Sequence, residues 1–132
     1  MAQKISKVVL FGLSVDLMAE LERALLQQSE VMVYAQAFAP GTDALGFIRS
    51  LDADLVFCPA EPERCQPLLE TLRQSHINLP VVVVSRQPEV SSWLGALEAG
   101  AQDYCAPPFE FEQIRWILEA AVRTQHAPGI RS

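Results

Sequence analysis

Four consecutive valines, Val81 to Val84, bounded by Pro80 and Ser85, carry β-branched apolar side chains at every position. Successive side chains of a strand point to opposite sides of its sheet, so this run must be covered on both faces. Lys7 to Phe11, ending at Gly12, reads the same way, and Val31 to Ala37, Asp54 to Cys58 and the short Asp103 to Ala106 complete a series of strands. Between them the apolar period changes to that of a helix. Leu17, Leu21, Ala24 and Leu25 stripe Asp16 to Gln28, with Ser14 placed to cap it. Helices are also predicted over about 42–51 and 63–74. Val90, Trp93, Leu94 and Leu97 mark a fourth helix stopped by Gly100, and Ile114, Ile117, Leu118 and Ala121 stripe a fifth.

Strands alternating with helices at this rhythm imply an α/β fold, with a parallel sheet covered by helices on both faces, because right-handed crossovers carry each helix over the sheet. Working sites of such sheets lie at the carboxyl ends of the strands. The 132 residues, half of them hydrophobic, fit one domain over 1–125, with 126–132 a tail or the start of a linker.

A formal charge of -6 disfavours direct nucleic-acid binding. Apolar runs fall well short of the roughly 20 residues that span a bilayer, so no membrane partner is expected. The three cysteines, Cys58, Cys65 and Cys105, lack metal-ligand spacing, and a cytoplasmic location follows as the expectation.

The stretch Ala96-Leu97-Glu98-Ala99-Gly100-Ala101-Gln102-Asp103-Tyr104, followed by Pro108-Phe109-Glu110, resembles the carboxyl-terminal third of a response-regulator receiver domain. Asp54-Leu55-Val56 and Pro80 to Ser85 extend the likeness over essentially the whole chain. The resemblance implies the flavodoxin-like (CheY-like) doubly wound fold, with five parallel strands in the order 2-1-3-4-5. It also implies a cis peptide before Pro108, with Phe109 packed beneath that loop.

Receivers carry a phosphoryl group on an aspartate at the end of the third strand, beside magnesium, an acidic pair, a lysine and a hydroxyl residue. Mg²⁺ demands hard oxygen ligands, and the charge of the transferring group must be neutralised. At the matching positions this sequence has Gly12 and Leu13 for the acidic pair, Pro59 for the phosphoacceptor and Pro107 for the lysine. Ser85 keeps the hydroxyl, which at a strand end also suits a local backbone bond. The nearest carboxylates, Asp16 and Glu61, cannot replace three acids. No cofactor, metal or catalytic residue is expected, and the chain reads as a degenerate receiver without enzymatic activity.

Other residues carry two readings each. Tyr104 takes the position of the receiver's mobile aromatic, or simply packs over the fifth strand with its hydroxyl in water. Trp116 falls off the apolar stripe of the fifth helix, which turns it toward a partner or to the margin of a neighbouring helix; Trp93, on its stripe, reads as packing. Arg115, Glu119 and Arg123, four apart, pair within the helix for about 0.2–0.5 kcal/mol each, or bridge a dimer axis as the resemblance implies.

The leading expectation is a phosphorylation-independent module of signal transduction or transcriptional regulation. It would bind a protein partner or a second copy through the fourth helix, fifth strand and fifth helix. The alternative is a small-molecule or redox sensor using the strand-end cleft with Cys58, Cys105, Ser85 and Arg86. Against it, the sequence has no phosphate-cradling glycine loop and no cysteine beside an evident base.

Overall fold

The computed structural model describes residues 5–28, 31–36, 44–86, 94–95 and 97–125. Along the chain run β1 (Lys7–Phe11), α1 (Val15–Leu26), β2 (Met32–Gln36), α2 (Ala44–Leu51), β3 (Leu55–Pro59), α3 (Pro62–Gln74), β4 (Val81–Val84), β5 (Asp103–Cys105) and a last helix, Phe111–Gln125. Residues 94, 95, 97 and 98 are helical as well. Val90 and Trp93, expected on that helix, lie outside the described residues, as does 126–132.

The strands form one five-stranded sheet in the order β2-β1-β3-β4-β5, all pairs parallel. The central strands are apolar throughout because both their faces are covered. Val8, Leu10, Leu55, Phe57, Val82 and Val84 face α1 and the last helix, where they meet Leu17, Leu21, Leu25, Ile114, Ile117 and Ala121. Val9, Phe11, Val56, Cys58, Val81 and Val83 face the other way, toward Ile48 of α2 and Leu68, Leu69 and Leu72 of α3. Each such side chain, once fully buried, stabilises the fold by roughly 1.5–3 kcal/mol. At the sheet edge β2 obeys a different rule, and Met32 and Ala35 are exposed.

Register is fixed at the amino end of β3. Asp54 Oδ2 accepts hydrogen bonds from the backbone N–H groups of Ser6 (2.9 Å) and Lys7 (3.0 Å), and its own N–H donates to the Lys7 carbonyl at 2.8 Å. This carboxylate therefore works at the opposite end of the sheet from the strand-end cleft. Ser14 caps α1, its Oγ accepting from the Leu17 N–H at 3.4 Å.

The strand-end cleft and the outer face of the last helix

At the carboxyl ends of β1, β3 and β4 the chain leaves a cleft of about 410 Å³, lined by Gly12, Ser14, Leu17, Pro59, Ala60, Glu61, Val84, Ser85 and Arg86. Its walls are set by backbone bonds between strand ends: Gly12 N–H to Gln36 O (2.8 Å), Ala60 N–H to Val84 O (3.1 Å) and Ser85 N–H to Cys105 O (3.1 Å). Gly12 has φ 73°, a left-handed conformation that glycine adopts without the strain a side chain adds.

Gly12, Pro59 and Ser85 of the five positions read from the sequence line the cleft, whereas Leu13 and Pro107 are not among its lining residues. Leu13 is 6% exposed and belongs to the core between the sheet, α1 and the last helix. The wall that the sequence reading gave to Leu13 is supplied by Leu17 and Ser14. The Pro107–Pro108 peptide bond is cis, as the resemblance implies. Phe109 is partly buried against the same core as Leu13.

Glu61 supplies the one carboxylate among these lining residues. Arg86, the cation at the rim, reaches across to α1, where its Nη2 lies 2.9 Å from Glu20 Oε2. The sequence reading missed this pair, because no local pattern links residues 66 apart. Among the described residues no three His, Cys, Asp or Glu side chains are grouped to hold a metal ion. A hard divalent cation takes several oxygen ligands, and this donor set does not fit one.

The cysteines do not take the places that the alternative redox-sensor reading requires. Neither Cys58 nor Cys105 lines the cleft. Both are buried, on opposite faces of the sheet: Cys105 packs with α1 and the last helix, and Cys58 packs with α3. Strand alternation turns these side chains into the two cores rather than toward the strand ends. Burial, aided by the nearby Asp103 charge, pushes the Cys105 thiol up to about 12. Cys58 is raised well above the ordinary thiol range, first by its hydrogen bond to Cys65 and then by burial.

The second candidate surface lies on the last helix and β5. Trp116 is 65% exposed, which resolves its orientation outward. The Arg123 guanidinium sits over its ring, 6.0 Å from the centroid. Arg115 bonds within its own helix, to Glu112 and to Glu119 Oε2 at 3.4 Å. Tyr104 departs from expectation: its ring packs against the α2–α3 core and its hydroxyl is buried, not in water.

No family model matches the chain. Among curated proteins it is similar to the transcriptional regulatory protein ZraR of Salmonella typhimurium, 29% identical over 91 residues, 67% of this chain and 21% of that protein. It is also similar to the cell cycle transcriptional regulator CtrA of Caulobacter vibrioides, 28% identical over 123 residues, 86% of this chain and 53% of that protein. The chain thus spans about a fifth to a half of the length of these relatives. Among solved structures, the signal receiver domain of the response regulator assigned as NarL in Mycobacterium tuberculosis superposes with TM-score 0.74 at 20% identity, over 90% of this chain and 98% of that one. This chain has the receiver fold of response regulators.

A further receiver-fold neighbour is an atypical orphan response regulator whose structure is described as revealing a phosphorylation-independent regulatory mechanism. It matches with TM-score 0.70 at 23% identity, over 89% of this chain and 95% of that one. No helix among the described residues is long and apolar enough to cross a membrane.

Proposed function

We propose that this receiver-fold chain works by protein contact, as a module of signal transduction or transcriptional regulation, and not by carrying a phosphoryl group or catalysing a reaction. The observation that carries the reading is the composition of the cleft: one carboxylate, from Glu61, and an arginine already engaged by Glu20. An incoming phosphoryl group and its metal need a preorganised set of opposite charges, worth several kcal/mol, that these residues do not provide.

Among the described residues the five-stranded sheet beneath the cleft is nevertheless packed on both faces, so its value lies in the surfaces it holds rigid. Trp116 with Arg123 stacked on it, flanked by Glu112, Arg115 and Glu119, offers an aromatic anchor ringed by both charge signs. Anchors of this kind dominate many protein interfaces. A second copy or another protein is the partner this face fits, and the net charge of -6 argues against direct nucleic-acid contact by this domain.

A small ligand in the cleft is the competing reading, since about 410 Å³ falls within the size range of ligand pockets. Its thiol-based version loses its support, because both cysteines it invoked are buried away from the cleft. A thermal-shift screen with Mg²⁺, beryllofluoride and nucleotides, run beside a light-scattering concentration series, separates the two readings. Self-association that Trp116→Ala weakens, with no ligand shift, supports contact. A ligand-induced shift without association overturns it.

A further inference from the structure

The outer face of α1 carries a pattern that its own domain does not use. Val15, Ala19, Glu22 and Leu26 are exposed, Val15 at 80% and Leu26 at 56%, while Leu17, Leu21, Ala24 and Leu25 turn into the core. Steps of four, three and four residues place the exposed four in one stripe, because about 3.6 residues complete a helical turn. This is the spacing of a heptad seam, with apolar side chains at both ends and Glu22 inside it. Gln28 Nε2 donates to the Phe111 carbonyl at 3.1 Å, which ties the end of α1 to Phe111, itself 44% exposed.

Asp16, in the first turn, and Arg23, in the last, lie on one flank of the stripe, seven residues apart. Both are exposed, and the ion pairs among the described residues, Arg73–Glu70, Arg86–Glu20 and Arg115 with Glu112 and Glu119, do not include them. We propose that α1 is a self-recognition surface on which α1 of a second copy packs antiparallel, with Val15 against the partner's Leu26 and Asp16 against the partner's Arg23.

A two-fold axis near the middle of α1 makes each of these contacts twice. The direction follows from the flanks. In a parallel pair the charges beside the seam would face the opposite flank of the other helix, held here by Met18 and Leu25, which pack into their own core. Antiparallel pairing instead brings like flanks together, so that first-turn acid meets last-turn base, and it opposes the two helix dipoles. Glu22 then meets the partner's Ala19, whose small side chain leaves the carboxylate a path to water; one polar residue in a seam fixes register at a cost in affinity. Twelve residues make a helix about 18 Å long, so the contact is small and the association weak. This surface is separate from Trp116 on the last helix, and it stands whether or not that residue anchors a partner.

The test uses Trp116→Ala protein, so that association through the outer face of the last helix does not enter. Sedimentation up to about 1 mM is expected to show a reversible dimer. Asp16→Arg and Arg23→Asp are each expected to weaken it at least about tenfold, because symmetry sets like charges face to face twice, and the double reversal to restore it within about threefold. Each variant is first checked for a cooperative urea transition. A mildly oxidised mixture of Val15→Cys and Leu26→Cys proteins is expected to give the mixed disulfide in excess over either homodimer, since antiparallel packing holds identical ends apart. Monomer at every concentration, a double reversal as weak as the single ones, or homodimeric disulfides in excess overturns the proposal.

Discussion

Tyr104 and Cys105 are adjacent in β5, yet one side chain packs into the core of α2 and α3 and the other into the core of α1 and the last helix. This opposition makes the Cys105 thiol a stability sensor at high pH. Its folded value is raised from the ordinary 9.0 to about 12, so between those values the unfolded chain loses a proton that the folded chain keeps. Stability from this group is intact below pH 9.0 and is lost as pH climbs toward about 12. Denaturant melts across that window are expected to fall more steeply for wild type than for Cys105→Ala; parallel slopes contradict the account.

Asp54 is the acid this domain spends on structure. Two backbone N–H groups converge on its Oδ2 in a partly buried setting, so Asp54→Ala is expected to cost about 2–3 kcal/mol. Urea unfolding reads this as a lower midpoint at unchanged slope. A change below about 0.5 kcal/mol shows the clasp to be dispensable.

The acidic pair of an active receiver cannot be restored here by simple replacement. Gly12 sits at φ 73°, where an aspartate adds roughly 1 kcal/mol of backbone strain. Leu13 is a core residue, 6% exposed, so Leu13→Asp puts a carboxylate into an apolar layer. Loss of more than about 3 kcal/mol is expected for Leu13→Asp, measured by thermal or urea unfolding. A fully stable variant would place Leu13 at the cleft after all.

Much of this was legible in the sequence. The continuous apolar runs at Val8 to Phe11 and Val81 to Val84 name the central strands, since only a sheet covered on both faces tolerates them. The stripes on α1 and the last helix name their buried faces. The details of the cleft were less accessible. That Leu13 turns inward while Ser14 and Leu17 form the wall depends on the bend at Gly12, which no periodicity encodes. The Arg86–Glu20 bridge joins a strand end to a helix surface, and such a pairing exists only once the crossovers are in place. The buried hydroxyl of Tyr104 escaped for a related reason: a strand of three residues has no pattern long enough to fix how deep a ring sits.

Trp116 separates folding from recognition. With 65% of its surface in solvent, replacement by alanine is expected to change stability by less than about 0.5 kcal/mol. If this face is the docking surface, the same change weakens self-association or partner binding at least about tenfold, the mark of an aromatic anchor. Urea unfolding reads the first and sedimentation of wild type and variant at matched concentrations the second; equal association contradicts the assignment of this face.

The proposal that the cleft takes up no phosphoryl group is most directly tested by incubating the protein with acetyl phosphate and Mg²⁺ and measuring the intact mass, with peptide mapping of any product. The predicted result is unmodified protein, at every donor concentration that fully modifies an active receiver treated in parallel. A stoichiometric phosphoryl adduct mapped to Ser85, Glu61 or any other cleft residue would contradict the account.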